Sequence, residues 1–268
     1  DTAAILAAAT EGALGALVVA GVDPADLPDP DAAHAGIDGV GFVVSLEVRR
    51  STVTDRADVV FPVAPVAEKA GSFLDWEGRE RVFPIALRDT GALPDHRVLA
   101  AIADALDPDT GLEGPGSHDV DTLRHELAAL GRWTGAVPET PVTSPRPAPR
   151  PVLGEAVLAT WRMLLDAGRS QDDEPHLAGT AHEPVARLSA ATAAEIGAAE
   201  HRSLTVSTGR GSITLPLVID ELPDRVVWLP TASPGSMVHA ELGVTAGDVV
   251  RIRATATTST GRAEEDPR

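Results

Sequence analysis

Cysteine is absent from this 268-residue chain, tyrosine is absent too, and Lys69 is the sole lysine. Without a thiol, the chain can form no disulfide, no thiolate nucleophile, no cysteine-ligated iron–sulfur cluster and no cysteine-type zinc site. If a parent protein handles electrons, its metal centres are expected outside these residues. Aromatics are also few, four Phe and four Trp, so the core must be built mostly from Ala, Val, Leu and Ile. Basic residues are outnumbered 22 to 40, leaving a net charge of −18. A nucleic-acid partner needs a basic face to displace counterions, and this balance excludes that class. An acidic surface instead favours solubility. No apolar run approaches the roughly 20 residues needed to span a bilayer, which argues against direct membrane insertion. The longest run, residues 13–22, ends in Asp23-Pro24 and reads as a buried strand and its turn. The chain has neither a starting Met nor a secretory leader pattern, and residues 3–9 read as a helix whose preceding strand is missing. A segment of a longer protein is the expectation.

The length admits one large domain or two ordinary ones. Residues 1–134 alternate strand and helix, the pattern of an open, mostly parallel sheet. Strands are expected at 17–20, as a continuous apolar run covered on both faces, at 40–46 and at 57–61. Helices are expected at 2–9, at 94–106 and after a Ser117 cap, where Val120, Leu123, Leu127 and Leu130 form one stripe. Residues 135–179 read as a proline-rich linker and a helix at 154–167 carrying Ala156, Val157, Trp161, Leu164 and Leu165. Over 180–256 the character changes to short strands separated by turn signals such as Gly209-Arg210-Gly211, which argues for a small barrel. The polar residues 257–268 read as a disordered tail.

The richest stretch is 57–79, ADVVFPVAPVAEKAGSFLDWEGR. After a short strand stopped by Pro62 it follows neither helical nor strand period, and reads as a long irregular segment lining a surface. Thr52, Thr54, Asp58, Pro62, Glu68, Gly71, Phe73, Glu77, Gly78 and Arg79 match, in order, a motif series of the molybdopterin oxidoreductase family, with Asp75 where that family usually has Asn. Beyond the linker, Ala193-Ala194-Glu195-Ile196-Gly197, Val206-Ser207-Thr208-Gly209-Arg210-Gly211 and Thr245-Ala246-Gly247-Asp248-Val249-Val250 resemble the C-terminal double-psi β-barrel of the same family. Two matches separated by a linker make chance agreement improbable. The wording PVAPVAEKAGSF and WLPTASPGS is most similar to the branch of that family found in bacterial NADH-quinone oxidoreductase, respiratory complex I. The Ala/Arg-rich, Lys-poor composition fits an actinobacterial type.

The resemblance implies an α/β fold: an open, mostly parallel sheet followed by a small double-psi β-barrel. It also implies a parent complex in which NADH reduces FMN on a neighbouring subunit. Electrons then pass along 2Fe-2S and 4Fe-4S clusters to quinone, coupled to proton translocation. This segment would be a scaffold beside that chain, holding no cofactor, metal or catalytic residue. It would contact other peripheral-arm subunits on the cytoplasmic side of the cell membrane, without entering the bilayer. An alternative is a C-terminal fragment of a molybdopterin-dependent oxidoreductase of the formate dehydrogenase or nitrate reductase type. There Asp23, Glu68 and Arg79 would contact molybdopterin guanine dinucleotide. A free-standing barrel-type interaction module is a third reading, from a different class.

Other candidates resolve to simpler roles. Gly21-Val22-Asp23-Pro24 reads as a strand-exit turn. Glu68 to Arg79 reads as a structural loop in which Arg79 pairs with a nearby carboxylate and Trp76 plugs the core. Asp23, Asp26, Asp29 and Asp31 lack the glycine and closing glutamate of a calcium loop and read as a solvated acidic turn. The eight histidines, His34, His96, His118, His125, His176, His182, His201 and His239, show no metal-binding spacing and are expected at the surface or at caps. Gly209-Arg210-Gly211-Ser212 is too short for a phosphate loop and reads as a hairpin turn.

Overall fold

The computed structural model describes residues 1–88, 90–106, 119–131, 134–136, 147–200 and 202–255. The chain divides into one unit made of Asp1–Val22 and Ala35–Thr143 and another made of Asp23–His34 and Ser144–Arg268. Residues 23–34 therefore leave the α/β unit and belong with the barrel, a crossing that composition does not signal. The linker residues 137–146, Ser117, His118, His201 and the tail 256–268 lie outside the described residues.

In the first unit, helix α1 (Thr2–Thr10) is capped by Asp1, whose Oδ1 accepts the Ala4 N–H at 2.8 Å. Strands β1 (Leu17–Ala20), β2 (Val43–Glu47) and β3 (Val59–Pro62) form a parallel sheet in the order β1-β2-β3. Two small clusters pack on its opposite faces, since Val43 and Leu46 stand three positions apart on β2: Ile37, Val43 and Val53 on one, and Leu46, Val63 and Val98 on the other. Helix α2 (Pro30–Asp38) comes against α1 where Gly36 faces Leu6. A Cβ there would fall 3.0 Å from the Leu6 carbonyl oxygen, so only glycine admits this approach. The central strand β2 is buried on both faces, but the edge strand β1 is not covered on both faces as its apolar run implies. Burial along β1 alternates, and Val18 (56 %) and Val60 (41 %) stand exposed. Helices α3 (Asp95–Leu106) and α4 (Val120–Ala129) follow, α4 capped by Asp119, whose Oδ1 accepts N–H bonds from Asp121 and Thr122.

The stretch after β3 is more regular than its sequence reads. Strands β4 (Gly71–Leu74) and β5 (Glu80–Phe83) form an antiparallel hairpin. Its turn is made by Asp75, whose Oδ1 accepts N–H bonds from Glu77 at 3.0 Å and Arg79 at 2.8 Å, and by Gly78 at φ +77°. Period-2 alternation is hidden because most side chains on both faces of the hairpin are exposed, so neither face is marked as apolar. Trp76, expected in the core, is 93 % exposed at the hairpin tip.

The second unit is a closed barrel of β6 (Glu155–Trp161), β7 (Ala186–Leu188), β8 (Ser203–Ser207), β9 (Ser212–Ile219), β10 (Val226–Pro230) and β13 (Val249–Thr255), in the order β10-β6-β13-β8-β9-β7. The pairs β6/β10 and β7/β9 are parallel, the others antiparallel. The helix expected at 154–167 is β6, so the barrel does not begin at residue 180. Val157, Trp161 and Leu164 mimic a helical spacing, but the decisive period is two. Ala156 and Leu158 point into the core, and Gly154, at φ +82°, starts the strand. Leu158, Leu188, Leu204, Val206, Leu217, Val227 and Leu229 fill the interior. A small hairpin, β11 (Ala232–Ser233) with β12 (Ser236–Met237), and a π-helical turn, Val238–Leu242, follow β10.

Leu158→Ala is expected to destabilise the barrel by about 2–5 kcal/mol, because a fully buried leucine leaves a cavity. Trp161→Ala, at a side chain 77 % exposed, should cost under about 1 kcal/mol. Urea unfolding of the two variants compares them directly, and equal losses would contradict the strand assignment.

Candidate functional site

Of the residues singled out from the sequence, Asp23 and Asp29 serve as local caps. Asp23 leaves β1 and caps the 3₁₀ turn Pro24–Asp26, its Oδ1 accepting the Ala25 N–H at 3.0 Å. Asp29 caps α2 by accepting the Ala32 N–H at 3.0 Å. Asp26 and Asp31 instead receive arginines from the barrel: Arg162 Nη2 donates to Asp26 at 2.6 Å and Arg210 Nη2 to Asp31 at 2.6 Å. Hydrogen bonds from Arg162 first to Asp26 and then to Asp166 hold its pKa above the ordinary guanidinium value. Arg210 Nε also donates to the Ala240 carbonyl at 3.0 Å, and Thr208 Oγ1 to that of Leu242 at 2.7 Å. The turn expected at 209–211 thus clamps the π-helical turn while it holds residue 31. Among the described residues no group of three His, Cys, Asp or Glu side chains could hold a metal.

Arg79 pairs with Glu77 at 2.9 Å, beside the Asp75 turn. Glu68 closes the 3₁₀ turn Val66–Glu68, with its N–H on the Pro65 carbonyl at 2.9 Å. The family-like residues around them have equally local duties. Asp58 Oδ2 accepts the Val43 N–H at 2.7 Å and its own N–H donates to the Val43 carbonyl at 2.9 Å, locking the start of β2 beside β3. Thr54 Oγ1 accepts the Ser51 N–H at 2.8 Å, and Ser51 Oγ accepts the Thr54 N–H at 3.2 Å. In the barrel, Asp248 Oδ2 accepts the Thr245 N–H at 2.9 Å while the Leu158 carbonyl accepts the Gly247 N–H at 2.8 Å. Arg225, at φ +55°, reaches Glu195 at 3.1 Å and the Pro151 carbonyl at 2.8 Å.

Among the described residues of the first unit, two grooves stand out. One, of about 390 Å³, lies at the carboxyl ends of β2 and β3 and includes Glu47, Arg49, Arg50, Thr54 and Pro62, the edge where open α/β sheets bind ligands. The larger, of about 750 Å³, runs between the β4–β5 hairpin, the loop after it and the first turns of α3 and α4, and Glu68 lines it. Arg79 is not among its described lining. The arginines of both grooves were missed in the sequence, because isolated arginines in an acidic chain carry no motif.

A molybdopterin dinucleotide needs donors converging on its phosphates and pterin. The residues Asp23, Glu68 and Arg79 do not fit that need. The Asp23 carboxylate is engaged by its own turn, and the Arg79 guanidinium by Glu77. Two buried hydroxyls, Ser45 Oγ and Ser233 Oγ, are left without a partner, yet each lies on a different sheet and neither brings a charge.

Residues 157–265 match the family described as the Molydopterin dinucleotide binding domain. Over 95 % of its length the chain is 55 % identical to the G subunit of NADH-quinone oxidoreductase from Mycobacterium bovis, and over 94 % it is 51 % identical to that of Streptomyces coelicolor. It spans 31 % and 30 % of those proteins, less than a third of each. Among solved structures, acetylene hydratase from Pelobacter acetylenicus shares the fold at a TM-score of 0.52 and 17 % identity, covering 95 % of this chain and 46 % of its own. The expected fold is therefore present, a mixed α/β unit followed by the double-psi barrel, and the expected similarity to an actinobacterial complex I subunit holds.

The two arginine bridges should hold residues 23–34 in a salt-dependent way. Exposed pairs contribute up to about 1 kcal/mol each, so Arg162→Gln with Arg210→Gln should speed amide exchange over 23–34 several-fold while exchange in β8 and β9 stays unchanged. Unchanged exchange over 23–34 would show that the bridges hold nothing.

Proposed function

We propose that this chain, similar over nearly its whole length to the G subunit of NADH-quinone oxidoreductase, serves as the scaffold segment of such a subunit. The 55 % identity across 95 % of the chain carries this reading. In the parent complex, NADH would reduce FMN on a neighbouring subunit, and electrons would reach quinone through 2Fe-2S and 4Fe-4S clusters, coupled to proton translocation. With no cysteine, this chain supplies no thiolate to those clusters. Its contribution is packing and subunit contact, and it has no catalytic activity of its own. It would sit with the other peripheral-arm subunits on the cytoplasmic side of the membrane; no described helix is long and apolar enough to cross one. As domains we take an α/β part within residues 1–134, a linker, and a barrel whose first strand is β6. Asp23, Glu68 and Arg79 have structural duties.

A second reading is favoured by one observation, the match of residues 157–265 to a molybdopterin dinucleotide binding family. On that reading the chain is part of a molybdopterin-dependent oxidoreductase, and Asp23, Glu68 and Arg79 touch the dinucleotide. The local pairing of Asp23 and Arg79 weighs against it.

Asp23→Asn and Arg79→Gln, introduced into the full-length protein, should leave NADH:quinone reductase activity of the purified complex within about twofold. A loss beyond tenfold, more than about 1.4 kcal/mol in barrier, with assembly intact would overturn the scaffold reading.

A further inference from the structure

The larger groove is an exception to the charge of the chain. The protein as a whole carries −18, yet four cations, Lys69, Arg88, Arg97 and Arg124, line this one depression against three carboxylates, Glu68, Asp119 and Asp121. Two of the four are neutralised in place. Lys69 is bonded to Asp95, and Arg124 reaches Asp121 at 2.9 Å and the Gly71 carbonyl at 2.7 Å. The guanidinium groups of Arg88 and Arg97 make no hydrogen bond or ion pair with any described residue. Beside them the wall is apolar: Val82, Ile85 and Leu87 are exposed, and Phe83 continues the wall into Phe73, with the two rings stacked 5.0 Å apart. The same hairpin carries Trp76 at its tip. An exposed apolar patch rimmed by arginines has the composition of a protein-binding surface, since arginine and aromatic side chains are what such interfaces enrich.

We propose that this groove and the face of the β4–β5 hairpin beside it dock an extended acidic segment of a neighbouring polypeptide, one that places carboxylates on Arg88 and Arg97 and apolar side chains against Val82 and Leu87. The proposal rests on the scaffold reading above and names the surface through which the scaffold acts. Charge decides the occupant. A basic segment is drawn to the acidic bulk of the chain, whereas an acidic one finds two guanidinium groups here that no described carboxylate neutralises, which favours register and selectivity. The open floor, about 750 Å³ in volume, accepts several side chains in a row.

The probe is a fluorescein-labelled peptide alternating glutamate with leucine, titrated into the 268-residue chain and followed by anisotropy. Saturable binding is expected, weakening as salt rises. Arg88→Glu with Arg97→Glu should weaken it at least tenfold, and Arg88→Gln with Arg97→Gln should weaken it less, with circular dichroism unchanged in both. A lysine–leucine peptide should not bind. Equal affinity for the wild type and both arginine variants would overturn the proposal. So would full displacement of the peptide by inorganic pyrophosphate, which would mark a small-anion site. A parallel purification of the complex through a tag on the full-length protein separates the two readings. If NADH:quinone reductase activity co-purifies and the peptide result is negative, the groove proposal alone has failed. If no such activity co-purifies, the scaffold reading has failed whatever the peptide does.

Discussion

The closure of the barrel by β6 is the constraint on which most of the second unit depends. This strand lies between β10, parallel to it, and β13, antiparallel to it. Without β6 both neighbours would present open edges, and the buried leucines of the interior would lose one wall. Several signals combine to place it. Gly154 admits the left-handed turn that starts the strand, and the Thr245–Asp248 turn brings a donor to the Leu158 carbonyl. Arg225 then ties the preceding Pro151 to the barrel wall.

Residues that mark the chain as family-like are, in this fold, mostly geometric. Asp58 stitches two parallel strands, Thr54 and Ser51 close a reciprocal turn, Asp75 and Gly78 bend a hairpin, and Asp248 shapes the turn beside β6. Each acts within a few residues or on one adjacent strand. Such a motif set persists as long as the fold does, whether or not a cofactor is held. That is why a dinucleotide-binding family match and a scaffold role are compatible in one chain.

Much of the fold was legible because it rests on local signals. The parallel strands read as β-branched runs, α3 as a periodic stripe, and the 209–211 turn as glycine punctuation. Two elements were not. The β6 strand carries apolar residues that satisfy a helical spacing and a strand spacing at once, and only the two neighbouring strands decide between them. The β4–β5 hairpin buries little on either face, so it has no alternation to read, and Trp76 is there an exposed tip rather than core. Residues 23–34 are bonded to the barrel by Arg162 and Arg210, which lie 136 and 179 residues from their aspartates. No window along the sequence could show those pairs. Of the candidate site residues, the local duties of Asp23 and Arg79 followed from turn chemistry, whereas the cationic groove is a product of folding alone.

The central claim is that this fold works as a scaffold without holding a pterin. The most direct measurement is the molybdenum and pterin content of the full-length native protein, purified with its complex from membranes, alongside its iron and acid-labile sulfide. A scaffold role predicts iron and sulfide in whole-number ratios to protein, with molybdenum and pterin far below one per chain. Stoichiometric molybdenum with pterin would contradict it.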